Sequence, residues 1–379
     1  MAIVGAMATG NWSSALVFPT PPASGDTVVA NGFTVTIDQD VDIGGGTIQT
    51  LAAGIYASGG GFTAAAGRAL ALVANCLAGT TTCLTVSGSV SGTVTGNCTG
   101  SAATASVFGV SHTGTGTLTI TGNVTGGAGG SAGVDGTVST GTVVINGNVY
   151  GGTGGGAGIA SASTTTITGS VTARSGHGVT ATVGDTVTIN GPVYGSATTA
   201  DRQGVLVSIS GVITINGNVA GGSTTTSHGV KNTGTGGITV TGNVLAGSST
   251  SEGINMTSTG VCTVTGNVTS SATAIGLTNS STGTITVNGS TVASAFGPGL
   301  KRTSAAAQKT IINGGIVGET SVGWPGVICG QLGKIVIGPT TTQEHKYATD
   351  TGGGGIGALR TLTTASGGGG GTISSASIG

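Results

Sequence analysis

Charge and aromatic rings are scarce in this chain. Among 379 residues there are 10 Lys and Arg against 11 Asp and Glu, and aromatics make up 3%. So sparse and balanced a charge excludes a basic nucleic-acid-binding face and argues against disorder driven by net charge. Seven prolines, and glycines without a period of three, exclude collagen. The Ala/Leu/Glu/Lys pattern of a helical bundle is missing. No apolar run reaches the ~18 residues of a membrane span, so no membrane insertion is expected. Met1–Gly10 has no basic start and only a short apolar stretch. It is a poor secretory signal, which points to cytoplasmic synthesis and release by lysis or a dedicated exporter. Five cysteines, an odd number without that signal, argue against a disulfide framework, although Cys76 and Cys83 flank a short Gly-Thr loop and could pair.

What the chain has is glycine, 79 residues of it, with Thr and Val. One phrase recurs, as in Leu118-Thr-Ile-Thr-Gly-Asn-Val124, Ile213-Thr-Ile-Asn-Gly-Asn-Val219 and Cys262-Thr-Val-Thr-Gly-Asn-Val268. Its nine anchor glycines, from Gly122 to Gly314, give a mean period of 24 residues. A second glycine column runs in phase from Gly109 to Gly299. Within the phrase, aliphatic residues alternate with Thr or Asn, the signature of a strand with one buried face. One 24-residue unit has too little apolar surface to fold alone, whereas stacked units form continuous Val/Ile columns. The spacing therefore predicts an all-β fold: a single-path parallel β-helix, or β-solenoid, with three short strands per coil. Right-handed coiling is the default for parallel crossovers.

The two arcs of each coil differ. From second glycine to anchor the separation is 13 in six of nine coils, a fixed scaffold; the return arc varies between 9 and 13. Repeat proteins display binding groups on such variable arcs. This one collects Tyr150, Arg174, His177, Tyr194, Asp201, Arg202, His228 and Glu252, a candidate surface-binding arc. Residues 1–50, with Trp12 and three prolines, read as an N-terminal cap, 51–108 as irregular first coils, 109–318 as the regular solenoid, and 319–379 as a C-terminal cap or docking segment with a glycine-rich tail. Trp324, Glu344, His345 and Lys346 are its candidate docking residues.

Few residues suggest chemistry. Asp38, Asp40 and Asp42 put three carboxylates on one strand face, a weak candidate for a hard cation; solvated Asp on a capping strand is the ordinary alternative. His177, Gln203, His228 and Glu252 fall just before successive second glycines, as a polar row on the outer surface. His177 and His228 are two coils apart, too far for one zinc ion. The sparse acids form no evident pair for glycoside cleavage. No cofactor motif occurs, and the chain is expected not to be an enzyme. Threonine rows such as Thr214/Asn216 and Thr239/Thr241 resemble ice-binding faces, but Thr also ladders with itself on any outward strand face.

The opening Gly10-Asn-Trp-Ser, Pro21-Pro22 and Gly25-Asp-Thr-Val-Val-Ala-Asn-Gly-Phe-Thr-Val-Thr-Ile-Asp38, followed by the Thr-Ile-Thr-Gly-Asn-Val coils, resembles β-solenoid virion proteins of tailed bacteriophages, over roughly residues 8–318. Secreted bacterial adhesins share the style. The resemblance implies a structural, non-catalytic virion protein: a decoration or fibre, with the capsid slightly favoured over the tail. It implies contacts with other virion proteins and homo-oligomers, trimers above all. A host surface glycan is a further expected partner. A bacterial surface adhesin or filament subunit is the alternative; a polysaccharide-binding or depolymerising tailspike and an ice-binding solenoid rank lower.

Overall fold

The computed structural model describes residues 2–292 apart from gaps of at most four residues and, beyond 292, the strands alone. All regular structure in the described residues is β-strand, and all but the last two strands stack in parallel ladders: a β-solenoid. The chain falls into two compact units, residues 1–179 with 184–191, and residues 180–183 with 192–379. Each regular coil contributes three strands. In one coil they are Val110–His112, Thr117–Thr121 and Val124–Thr125; in the next, Val134–Gly136, Thr142–Asn146 and Val149–Tyr150.

Register explains why the repeat folds. In the first unit Ile120, Ile145, Ile167 and Ile189 are successive ladder partners, none more than 1% exposed. In the second, Ile215, Val240, Val264, Val287 and Ile312 form the matching column, all 0% exposed. Each such side chain contributes about 1.5–3 kcal/mol on burial. That gain offsets backbone ordering only when coils lie on both sides of it. Thr188 and Thr214, one residue earlier, point outward and are half-buried.

The two glycine columns meet different neighbours. A Cβ on Gly147 would lie 2.1 Å from the carbonyl oxygen of Gly122, and one on Gly169 2.4 Å from that of Gly147. Anchor glycines thus let one corner backbone sit directly on the next. A Cβ on the second glycines Gly133, Gly229 and Gly253 would strike a Cγ1 methyl of Val124, Val244 and Val268, at 2.5–2.7 Å, as well as neighbouring backbone at 2.7–2.8 Å. Those glycines make room for the inward valine two residues beyond the anchor.

Beside the anchor runs an asparagine ladder. Oδ1 of Asn97 accepts the Asn123 N–H at 2.9 Å, Oδ1 of Asn123 accepts the Asn148 N–H at 3.0 Å, and Oδ1 of Asn148 accepts the Ser170 N–H at 3.0 Å. The same ladder links Asn218, Asn243 and Asn267 in the second unit, at 2.8 Å per step. Each bond satisfies a corner N–H that no strand can reach. Asn123→Ala should therefore lower stability by about 1 kcal/mol, read from a shifted denaturant midpoint with an unchanged slope. Asn123→Asp should retain most of the loss-free value, because its carboxylate can still accept.

The ends differ from the sequence expectation. Val4, Val28, Ile48 and Cys76 are successive ladder partners, so the stack starts at Ile3–Gly5 and residues 1–50 are coils of it. These coils keep the inward columns but lack the Thr-Ile-Thr-Gly phrase, and a bulge between Asp42 and Thr47 breaks the count. Three rings fill this end: Trp12 lies 4.9 Å from Phe18 and 6.1 Å from Phe62, all at least 93% buried. In the 319–379 segment, Val327–Cys329 and Lys334–Ile337 extend the parallel ladders past Gly318. The direction then reverses: Arg360–Thr363 and Gly371–Ser374 pair antiparallel with Glu344–Thr349 and Lys334–Ile337.

Candidate functional site

In the first unit, the short strand Val149–Tyr150 turns its valine into the core and its tyrosine outward, as period-two alternation requires. Tyr150 pairs in register with Thr172 on the next coil, and the Arg174 guanidinium, two residues on, sits 5.8 Å from the Tyr150 ring centroid. That is a cation–π contact on an exposed face. His177 is part-buried farther along the same arc. In the second unit Tyr194 is 43% exposed at the outward end of Val193–Tyr194. Asp201 lies outside the described residues.

The row before the second glycines is not on the outer surface in the second unit. Gln203 is 1% and His228 9% exposed, because the return arc folds these side chains in under the neighbouring coil. The Gln203 amide donates to the Thr226 carbonyl at 3.3 Å, and the Arg202 N–H donates to Ser227 Oγ at 3.2 Å. His228 Nδ1 accepts the backbone N–H of Glu252 at 3.1 Å and lies 3.7 Å from its Oε2. In neutral His228 the proton therefore sits on Nε2. Glu252 spends both oxygens: Oε1 accepts from Thr278 Oγ1 at 2.6 Å, and Oε2 accepts from the Asn255 amide. This network ties three successive coils together. A carboxylate so occupied is a structural acceptor and is poorly placed as a general base.

The three N-terminal aspartates do not lie on one strand: Asp38 and Asp40 fall in the corner between Thr34–Ile37 and Val41–Gln49, and Asp42 falls within the latter. Each has its own partner. Asp38 accepts from Ser13 N and Oγ at 3.1 and 2.5 Å, Asp40 pairs with Arg68 at 2.5 Å, and Asp42 accepts the Gly44 N–H at 2.9 Å. Among the described residues no group of three His, Cys, Asp or Glu side chains could hold a metal ion. Of the docking candidates, Trp324 lies outside the described residues. Glu344, His345 and Lys346 open a strand that pairs with Val327–Cys329 through Tyr347–Thr349 and, antiparallel, with Arg360–Thr363.

Two buried groups carry shifted titrations. His112 ends the strand Val110–His112 at 0% exposure, and burial holds its pKa below the usual 6.5. Asn232 and Asn279 end the equivalent strands of later coils, also buried. Above pH 6.5 the imidazole is neutral folded or unfolded and costs nothing. As pH falls through 6.5 toward the lower folded value, the unfolded chain takes the proton first, so stability drops. Unfolding curves at stepwise pH should show this loss in the native chain and a flatter profile for His112→Asn.

The cysteines are the second group. Cys76, Cys83, Cys98 and Cys262 are all buried and free. Cys262 stands alone in an inward column, and burial pushes its thiol up to about 12. The other three meet. Cys76 and Cys98 are ladder partners on adjacent coils, and the Cys76 thiol lies against those of Cys83 and Cys98. Cys83 Sγ also donates to the Ile48 carbonyl at 3.1 Å. The contact with Cys83, where Cys76 is the donor, and then burial raise Cys76 well above the ordinary thiol range; the contact with Cys76, where Cys98 is the donor, and then burial do the same to Cys98.

Sequence reasoning missed this convergence, although the inward place of Cys98 and a gap of about one coil back to Cys76 were its signal. Compared with known proteins, the chain matches no family model, no curated protein and no solved structure.

Proposed function

We propose that this protein is a non-catalytic structural protein of a tailed-phage virion, a rigid β-helical decoration or fibre displayed on the particle, with the capsid slightly favoured over the tail. The observation that carries the reading is where the reactive side chains go. Glu252, His228, Gln203 and Asp38 are occupied by hydrogen bonds that join one coil to another, while parallel backbone ladders run through every described coil. Such a chain resists local opening and hence proteolysis, which suits a particle exterior. The sequence resemblance to phage solenoids supplies the virion context.

In this reading the protein works as a homo-oligomer, most naturally a trimer, with the 319–379 segment docking to other virion proteins. Tyr150 with Arg174, and separately Tyr194, offer outward rings of the kind that stack on sugars, so a host surface glycan is the ligand class proposed for the variable arc. The test is a mass-spectrometric inventory of purified particles combined with immunogold labelling. The reading expects the chain at many copies on the head. Its absence from particles and presence in a bacterial envelope fraction would replace it with the adhesin alternative.

A further inference from the structure

Followed back by register, the second-glycine column reads Thr34, Gly61, Cys83 and Gly109. Cys83 precedes Leu84, in the place that Gly61 holds before Phe62 and Gly109 before Val110, its ladder partners' neighbours. At Gly133, Gly204, Gly229 and Gly253 an inward valine methyl, together with nearby backbone, fills the space a Cβ would need, and at Gly109 the backbone of Thr99 does. Around Cys83 the inward column itself changes: it reads Ile48, Cys76, Cys98, Val124, Val149. The coil thus exchanges a glycine–valine fit for a cysteine–cysteine fit, and three thiols fill one point of the core, at 1%, 0% and 0% exposure. Ladder partners on parallel strands lie ~4.8 Å apart, inside the ~4.4–6.8 Å Cα window of a disulfide.

We propose that Cys76, Cys83 and Cys98 form an oxidisable centre with Cys76 as its obligatory member, and that a small-molecule disulfide converts it to one internal cross-link, Cys76–Cys83 or Cys76–Cys98. The chemistry balances by two exchanges. The thiolate of one protein cysteine attacks oxidised glutathione, breaking its S–S bond and releasing one glutathione. A second protein thiolate then attacks the mixed disulfide and releases the other. Two protein S–H bonds are lost and one S–S bond forms. Two electrons pass to the oxidant, and the two protons end on the two glutathione thiols. Burial leaves no approach for the oxidant in the closed coil, so exchange belongs to folding or to opening of these coils. The product would lock the first coils against later opening outside a reducing cytoplasm.

The test refolds the full chain from guanidinium with oxidised glutathione at mildly alkaline pH, then counts free thiols and maps linked peptides after an acid quench. The expected result is a fall from five free thiols to three, with Cys76 in the mapped cross-link. Cys98→Val and Cys83→Gly use residues native to their columns, and each should still form a link through Cys76. Cys76→Val should form none. A Cys83–Cys98 link in Cys76→Val, a free Cys76 in the oxidised native chain, or glutathione caps without any internal link would each overturn the proposal.

Discussion

Gly147→Ala is expected to destabilise the first unit by about 3 kcal/mol or more, near the upper end of what overpacking costs. The new methyl carbon would sit 2.1 Å from the Gly122 carbonyl oxygen. That obstacle is backbone, held in turn by Gly96 below it, so no side chain can swing aside. Relief requires the two coils to separate at the corner, which also breaks the bond from Asn148 N–H to Asn123. Gly237→Val supplies the contrast. Nothing lies within 4 Å of its added Cβ, and its ladder partners are Val212 and Val261. A valine there should be neutral or should stabilise by about 0.5–1 kcal/mol, since glycine within a strand is the costlier choice. Thermal and urea unfolding followed by circular dichroism would rank the two variants. Equal effects would mean that the glycine columns have another cause.

Ile215→Ala carries the second large effect, about 2–5 kcal/mol, with Ile215→Val limited to about 0.5–1.5 kcal/mol. Ile215 is fully buried and stacks on Val240 in a column one side chain wide. In a solenoid each coil is held only by its neighbours, so a cavity there weakens a coil-to-coil interface and nothing farther away compensates. Hydrogen exchange should show the weakening concentrated in the strands Val212–Ile215 and Gly237–Val240. Val212→Thr, at a site 44% exposed, should stay within about 0.5 kcal/mol of the native chain.

The solenoid was legible because its causes are periodic. Alternation placed Ile213 and Ile215 inward, and two glycine columns marked the coil. The ends were less legible, because Val28 and Ile48 keep the inward places without the phrase that announces them, and the bulge after Asp42 hides the count. The candidate site was legible only as a set of residues. Equivalent positions in the repeat put His228 beside Glu252. Whether that row faced water depended on how the return arc folds, which glycine-rich segments of unequal length do not encode by pattern. The thiol centre was hidden for a related reason: Cys83 sits in the bend before the strand Leu84–Val86, whereas Cys76 and Cys98 are on strands of another ladder, and only the narrow coil brings them together.

Methyl–methyl nuclear Overhauser effects in a chain labelled at isoleucine and valine methyls would test the stacking directly. With coils ~4.8 Å apart, Ile215 should show a cross-peak to Val240, Val240 to Val264, and Val264 to Val287, each stronger than any peak that skips a coil. If Ile215 and Val240 gave no mutual peak, the chain would not be wound in this register, and both the inward columns and the rigid exterior role built on them would be wrong.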